Sequence, residues 1–335
     1  MVLKHKLTLL GPETKIGNKI IYFGPLHYYL MAPALAVSRF DPIGPYYWTA
    51  LLGVATVLLI YFTNRSLISA AFYAVFPLAV IYNRWAWNPN TIPLFAAGFL
   101  LAFFRKKYFL AGIFGGLAFQ LHITTIALAP LLIFAGGRKN IAKILGGFLV
   151  GIAPLLIFDL RHNFLYLRGY WGLLQADTAY RGFNFHYFLA LLPVLALLLS
   201  KLDRKIGLAA VSGSLVMSLL WLGRQVPQPA VNPANIRRLC ALVAADQKNG
   251  LNFNIASFTD SDTRATSYRY FLELAGTNPL GVGEYAVADH LYVTSFAEPA
   301  EVLYNRTYEV AAFKPVRVSR SWKLGKLNLY RLEYK

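Results

Sequence analysis

The chain has 335 residues, of which 57% are hydrophobic and only 14% are charged, and its mean hydropathy is +0.46. These values exclude an ordinary soluble protein and predict that most of the chain lies in a membrane. The formal net charge of +18 does not indicate a nucleic-acid partner, because the basic residues before Gly223 form short clusters between apolar runs, as in loops of membrane proteins. The single cysteine, Cys240, excludes an internal disulfide and a cysteine-based metal site.

The chain begins with a polar segment followed by a short apolar helix. Residues 1–23 are mixed in character and contain a turn signal at Gly17-Asn18. Residues Gly24–Val37 are apolar but number only 14 and include two prolines. Because a transmembrane helix needs about 20 apolar residues, we predict that this helix lies on the membrane surface.

Eight apolar segments follow, and we predict that each crosses the membrane. They are Gly44–Phe62, Ser66–Tyr82, Thr91–Phe104, Tyr108–Leu121, Ile123–Ala135, Ile141–Phe158, Tyr187–Leu199 and Ile206–Leu222. Several are short, which suits helices inside a bundle or a locally thinned bilayer. The segments on either side of His122 form one long helix in the alternative arrangement. Eight crossings are favoured because they bring the three densest basic clusters, around Lys106, Lys139 and Lys205, to one face, which we predict to be cytoplasmic.

The composition changes after Arg224, where a proline-containing linker leads into a less apolar region. Residues 230–335 carry 13 basic and 10 acidic side chains and alternate between helical and strand patterns. The predicted elements are a helix at Pro233–Lys248 with Asn232 as its N-cap, a strand at Leu251–Phe258, a helix at Arg264–Leu274 and strands at His290–Phe296 and Leu327–Leu332. The sequence thus predicts an α-helical polytopic membrane protein of about eight crossings plus a surface helix, residues 1–225. A small α/β domain, residues 226–335, follows on the outer side of the plasma membrane.

A polar island, Tyr82–Pro93, separates the second and third predicted crossings. Its arginine, asparagine and tryptophan residues suit the membrane–water interface. One interpretation is an interfacial loop anchored by its tryptophans. The other is that Arg84, Asn88 and Asn90 face a substrate at the membrane rim.

The predicted outer face collects ionisable side chains at helix ends, where they are costly and therefore functional candidates. They are Arg84, His122, Asp159, Arg161, His162, Asp177 and Arg181. Arginine binds phosphate oxygens in a forked geometry, and histidine donates hydrogen bonds or moves protons. We therefore take Arg84, Asn88, His122, Arg161 and His162 as candidate substrate-binding residues. Asp159 is the candidate general base. The structural alternatives are a packing role for His122 and an ion pair between Asp159 and Arg161.

Three stretches carry a resemblance to a known class of enzyme: Phe23-Gly-Pro-Leu-His-Tyr-Tyr-Leu, Ala79-Val-Ile-Tyr-Asn-Arg-Trp-Ala-Trp-Asn-Pro-Asn and Gly116-Leu-Ala-Phe-Gln-Leu-His-Ile-Thr. Over residues 1–200 the chain resembles the GT-C class of integral-membrane glycosyltransferases, in family 39 and the related Rgt-type enzymes. The resemblance implies a polyprenyl-phosphate-linked sugar donor. It also implies transfer, with inversion at the sugar carbon, on the outer membrane face to a glycan, lipid or protein acceptor.

The resemblance also implies a missing part. The class keeps its catalytic aspartate in the first outer loop, just after a first transmembrane helix, and neither Glu13 nor Asp41 stands in a matching motif. We therefore expect the catalytic residue to lie upstream of Met1 and the chain as given to be incomplete as an enzyme, which implies reduced or absent activity. No His, Asp or Glu pair has the spacing of metal ligands, so a divalent cation stays open but has no support in the sequence.

Two other functional classes fit the composition. One is a transporter or flippase for a lipid-linked or anionic solute, and the other is a membrane anchor that presents its C-terminal domain to a partner. The sequence contains no matching pair of broken helices that indicates an inverted repeat, which argues against the transporter. Eight crossings are many for an anchor.

Overall fold

The computed structural model describes residues 7–16, 19–175, 184–224, 231–247, 251–259 and 262–334, which are mainly helical. The chain divides into two compact units, Met1–Gln225 and Val226–Lys335. The division falls where the composition of the sequence changes. The first unit has one large hydrophobic core and the second has a core on each face of a small sheet.

The first unit begins with a β-hairpin that the sequence did not predict. Strand β1 (Glu13–Ile16) pairs antiparallel with β2 (Lys19–Tyr22), while the predicted turn at Gly17-Asn18 lies outside the described residues. Helix α1 (Leu26–Val37) follows and confirms the predicted short helix, which continues through Pro33.

In the described part of the first unit, ten further helices and three 3-10 segments follow. The helices are α2 (Ile43–Asn64), α3 (Leu67–Val75), α4 (Pro77–Tyr82), α5 (Ile92–Phe104), α6 (Tyr108–Leu121), α7 (Arg138–Gly151), α8 (Ala153–Arg161), α9 (Leu165–Leu174), α10 (Leu192–Leu199) and α11 (Arg204–Gly223), and the 3-10 segments are Asn88–Thr91, Ile123–Ala135 and Phe185–Leu191. Within the described ranges, α2 and α11 are long and apolar enough to cross a membrane. Helices α7 and α8, bent by 64°, add a third span if the pair counts as one.

The structure therefore supports two or three membrane-spanning candidates, fewer than the eight predicted. The predicted crossing Ser66–Tyr82 is broken between α3 and α4, because Phe76 precedes Pro77 and adopts an extended conformation with ψ 130°. The predicted crossing Ile141–Phe158 is the bent α7–α8 pair, and Ile123–Ala135 is a 3-10 segment that contains Pro130. Apolar composition alone did not reveal these breaks.

Helices α6 and α7 pack closely through glycines on both helices. A Cβ atom on Gly112 would lie 2.0 Å from the carbonyl oxygen of Ile144, and a Cβ on Gly147 would lie 2.0 Å from the carbonyl oxygen of Phe109. Gly116 and Gly151 make the same kind of approach one turn further along. Small residues on both helices thus allow the two backbones to approach closely.

The second unit is a mixed four-stranded sheet covered by helices. Its elements are α12 (Pro233–Asp246), β3 (Phe253–Ser257), α13 (Thr266–Leu274), β4 (His290–Ser295), α14 (Pro299–Leu303), α15 (Tyr308–Phe313), β5 (Arg317–Leu324) and β6 (Leu327–Glu333). The strand order is β3-β4-β6-β5, with β3 and β4 parallel and the other pairs antiparallel. This confirms the predicted small α/β domain. The Asn232 side chain accepts from the Asn235 amide at 2.9 Å, as expected of the predicted N-cap.

The two faces of the sheet carry different cores, because successive side chains of a strand point to opposite faces. Tyr292 packs against α12 and α13, whereas its neighbours Leu291 and Val293 pack with residues of α14 and α15. Strand β5 was missed in the sequence because it lies at the sheet edge, where its largely exposed side chains are mostly polar.

Charged side chains bind the edge of this sheet together. Glu333 pairs with Arg331 at 2.6 Å and with Arg317 at 2.8 Å, and Arg331 also contacts Asp246 at 3.0 Å. Burial raises the pKa of Glu333, but hydrogen bonds from Arg317, Arg331 and Ser319 outweigh burial and lower that pKa to about 2. The carboxylate of Glu333 therefore stays ionised in the folded unit at pH values well below the ordinary pKa of a glutamate.

Candidate functional site

The C-terminal end of α6 meets the segment between β2 and α1. The Gly24 amide donates to the carbonyl oxygen of Gln120 at 2.7 Å, and the Phe23 ring stacks on the His122 ring with centroids 5.3 Å apart. A Cβ atom on Gly24 would lie 2.4 Å from the Gln120 Cβ. Glycine is therefore needed here for the close approach of the two segments.

The polar island between α4 and α5 reaches the same end of α6 through Asn88. The Asn88 side chain is only 4% exposed, and its amide group donates to the carbonyl oxygen of Leu121. The Asn90 amide group donates to the carbonyl oxygen of Trp85 at 2.7 Å and so closes the island on itself. The Oδ1 atoms of both asparagines are buried and have no hydrogen-bond donor within the described residues. Each asparagine thus uses its donor for packing and keeps an acceptor.

A row of aromatic rings joins the island to His122. The Tyr82 ring stacks on Trp87 at 6.3 Å, Trp87 contacts His186 edge-on at 4.9 Å, and His186 contacts His122 edge-on at 5.2 Å. We call this row of four rings, together with Phe23 and Asn88 at the end of α6, the rim cluster: Phe23, Tyr82, Trp87, Asn88, His122 and His186. The three stretches that carry the sequence resemblance all contribute to it.

The hydrogen bonds of His122 define which ring nitrogen donates. Its Nδ1 atom accepts from the Thr124 amide at 3.3 Å and lies 3.0 Å from the Thr124 hydroxyl oxygen, which makes His122 the cap of the following 3-10 segment. Since Nδ1 is the acceptor, the neutral ring carries its proton on Nε2. His122 therefore combines the predicted packing role with an available donor.

Arg84 is an exposed residue of the island that does not join the ring row. Its guanidinium carbon stands 5.6 Å from the centre of the Trp221 ring, a cation–π contact. No carboxylate within the described ranges pairs with it. Trp85 and Trp87 are 48% and 43% exposed, as expected of an interfacial anchor. The geometry is compatible with both interpretations of the island.

Asp159 has a structural position at the end of α8. It is 4% exposed, and its two carboxylate oxygens accept from the amides of Tyr166 at 2.7 Å and Leu167 at 3.1 Å, which caps α9. No ion pair with Arg161 is present in the described structure, so the predicted pairing is not what holds Asp159 in place. These contacts favour a structural role over that of a general base.

The other predicted residues near α8 stand apart from the rim cluster. Arg161 is exposed, and the His162 ring stacks on Phe158 at 4.0 Å while its Nδ1 lies 2.8 Å from the Phe158 carbonyl oxygen. Within the described ranges no hydrogen bond or ring contact joins either residue to His122. Asp177 and Arg181 lie outside the described residues. In the part of the chain that the structure describes, no group of three His, Cys, Asp or Glu side chains is placed to hold a metal ion.

His186 is the functional candidate that sequence reasoning missed. It is buried and contacts both Trp87 and His122. A signal was present, since His186 directly precedes the predicted crossing Tyr187–Leu199, at the same predicted face as His122.

Comparisons of this chain with protein-family models, with curated proteins and with solved structures give no match. The contacts of the rim cluster, and the resemblance of three of its stretches to GT-C enzymes, are therefore the observations that bear on function.

Proposed function

We propose that this protein is a membrane glycosyltransferase that moves a sugar from a polyprenyl-phosphate-linked donor to a glycan, lipid or protein acceptor. One observation supports the proposal above the others: the three stretches that resemble GT-C enzymes meet at the end of α6. Gly24 bonds to Gln120 and Asn88 bonds to Leu121, so all three stretches share one helix end. Packing alone does not call for two histidines in ring contact beside a buried asparagine oxygen that has no donor among the described residues.

Each side chain has a role that fits its contacts. The unpaired guanidinium of Arg84 binds the donor phosphate through its fork, and the Nε2 proton of His122 is donated to a phosphate oxygen. The Oδ1 atom of Asn88 accepts a hydrogen bond from a hydroxyl group of the sugar. Arg161 and His162 remain candidates for a separate phosphate contact near α8. No side chain is assigned as the base that takes the proton of the acceptor hydroxyl, since both oxygens of Asp159 already accept backbone amides.

The proposed membrane arrangement has eight crossings in the plasma membrane, in which the shorter apolar helices and the broken segments cross beside the two or three long candidates. Lys107, Lys139 and Lys205 stand on the cytoplasmic side, and the second unit stands outside, because the basic clusters of the loops then share one face. We expect reporter fusions after each of these three lysines to report the inside, and a fusion after Lys335 to report the outside. An inside signal from the fusion after Lys335 contradicts this arrangement.

The test of the function is transfer by the full chain in membranes. Radiolabelled hexose or pentose linked to polyprenyl phosphate is supplied, and label in lipid, glycan and protein fractions is measured. The missing aspartate motif implied reduced or absent activity, whereas the proposal requires transfer. We expect transfer, and we expect His122→Ala to reduce it at an unchanged expression level. Membranes with folded protein and no transfer to any fraction contradict the proposal.

A transporter or flippase is the second candidate, and the interrupted helices favour it. The α7–α8 pair is bent by 64° and the α3–α4 pair breaks at Phe76. Broken helices of this kind line the binding sites of many transporters. Movement of a polyprenyl-phosphate-linked sugar across proteoliposomes without its transfer to an acceptor would favour this candidate over the enzyme.

A further inference from the structure

The second unit contains a cleft of 510 Å³ beside α15. This volume lies within the range of about 300–1,000 Å³ that is typical of small-molecule sites. The cleft belongs entirely to the second unit and is separate from the rim cluster. Its lining combines a polar wall, by which we mean the side chains of Asp262, Thr263, Arg264 and Glu309, with an aromatic wall, the rings of Tyr285 and Tyr308.

Glu309 is the side chain that points to a ligand. It is only 4% exposed, and its Oε1 atom accepts from the Thr263 hydroxyl at 2.7 Å. Its Oε2 atom is buried and has no hydrogen-bond partner in the described part of the structure. A buried polar atom without a partner costs about 1–3 kcal/mol, and more when it is charged. A ligand in the cleft that donates a hydrogen bond to Oε2 removes this cost.

The charges of the polar wall exclude some ligand classes. The Arg264 Nε atom lies 2.8 Å from the Asp262 Oδ1 atom, so these two charges compensate each other. Among the described residues that line the cleft, Glu309 then adds one further negative charge. A phosphate or carboxylate group is therefore disfavoured in the cleft, whereas a group that carries hydroxyl donors fits.

The aromatic wall selects among the remaining ligands. Buried Tyr285 supports Tyr308 edge-on, with ring centroids 6.0 Å apart and planes at 87°. Tyr308 itself is 61% exposed and so presents an open ring surface. A sugar ring has an apolar C–H face and an edge of hydroxyl groups that both donate and accept hydrogen bonds. The C–H face suits the aromatic rings of the cleft, and the hydroxyl edge suits its polar side chains.

We propose that this cleft binds one neutral saccharide unit, whose C–H face lies on Tyr308 and whose hydroxyl group donates to Glu309. The proposal deepens the proposed transferase function: the bound unit belongs to a glycan acceptor, and this role rests on that function. Binding of the saccharide itself does not rest on it, because the cleft and its contacts lie within the second unit.

The experiment uses the full chain in detergent micelles and saturation-transfer NMR. The probes are methyl glycosides of hexoses and pentoses at millimolar concentrations, with ethanolamine and inorganic phosphate as the cationic and anionic comparisons. We expect saturation transfer to at least one glycoside. Tyr308→Ala weakens its binding about three- to tenfold through loss of the ring surface. Glu309→Gln weakens binding about tenfold, because the amide keeps the Thr263 contact but loses the charged acceptor.

Tyr304→Ala is the matched control, since Tyr304 is 81% exposed on the neighbouring α14–α15 segment and does not line the cleft. We expect this variant to bind like wild type. Because Tyr308 is exposed, its variant keeps the test decisive even if Glu309→Gln unfolds. No binding of any glycoside by folded protein, preferred binding of ethanolamine or phosphate, or an equal effect of Tyr304→Ala and Tyr308→Ala overturns the proposal. Glycoside binding without sugar transfer in membranes leaves the cleft assignment intact and counts against the transferase function alone.

Discussion

Substitution of Gly147 by alanine provides a sharp test of the α6–α7 packing that supports the rim cluster. The added Cβ would lie 2.0 Å from the carbonyl oxygen of Phe109, a backbone atom that cannot rotate away. Normal contact requires the two helices to separate by about 1 Å, and a gap of that size loses up to about half of the dispersion energy of the facing atoms. Overpacked cores lose about 1–3 kcal/mol, and we expect the upper part of that range.

Gly146 offers a matched control on the same turn of α7. A Cβ there would meet the Phe109 ring at 3.8 Å, which is ordinary contact. Gly146→Ala should stabilise the helix by about 0.5–1 kcal/mol, because alanine loses less backbone freedom than glycine. The two variants should therefore differ by about 3 kcal/mol, or roughly a hundredfold in the unfolding equilibrium constant.

The assay is unfolding of the purified protein in mixed micelles of increasing SDS content. We expect the order Gly146→Ala, wild type, Gly147→Ala, from most to least stable. Sugar transfer should fall with Gly147→Ala as well, since Gln120 of α6 donates to the Gly151 carbonyl oxygen of α7 at 2.6 Å and lies next to the rim cluster. Equal stability of the two alanine variants would refute the packing described here.

Three further predictions follow from contacts of single side chains. Arg84→Lys should lower sugar transfer by about tenfold or more, because lysine cannot copy the fork of a guanidinium on phosphate; unchanged kinetics in the membrane assay leave only the anchor interpretation. Asp159→Asn should lower the stability of the first unit by about 1–2 kcal/mol in SDS unfolding, because one capping acceptor is lost. Sugar transfer per folded molecule should not change. A selective loss of transfer would support Asp159 as the general base. Because the pKa of Glu333 is lowered to about 2 when folded, its stabilising effect should be complete above its ordinary pKa and should disappear as the pH falls toward 2. Thermal unfolding followed by Trp322 fluorescence checks this effect, and Glu333→Gln should flatten the pH dependence; a variant with the wild-type profile contradicts the assignment.

The sequence predicted most elements whose signal is local. Helix α6 begins and ends where its apolar run does, and α2 and α11 match two predicted crossings to within two residues. The helix after Asn232 and the central strands of the second unit were predicted for the same reason, since capping and alternation are local patterns. Strand β5 was not, because an edge strand with polar side chains resembles a loop in sequence.

The rim cluster was predicted only in part, because its contacts join residues that are distant along the chain. Asn88 and His122 were chosen from residue type and predicted side of the membrane, and the structure brings both to the end of α6. Arg161 and His162 were chosen by the same argument but stand apart from it. The predicted side of the membrane tells on which face a residue lies, but it does not tell which residues of that face are neighbours.

The last carbonyl groups of α6 have consequences for how the protein is made. A helix leaves its final carbonyl oxygens without partners inside the helix, and here two of them accept from Gly24 and Asn88. Both donors are synthesised before α6. Because the ribosome adds about 5–20 residues per second, the end of α6 follows them only after some seconds. During this interval the early segments carry unsatisfied polar groups at a membrane surface. The rim cluster therefore assembles only after His186 has left the ribosome, and factors that shield the nascent chain would act on the segments that precede it.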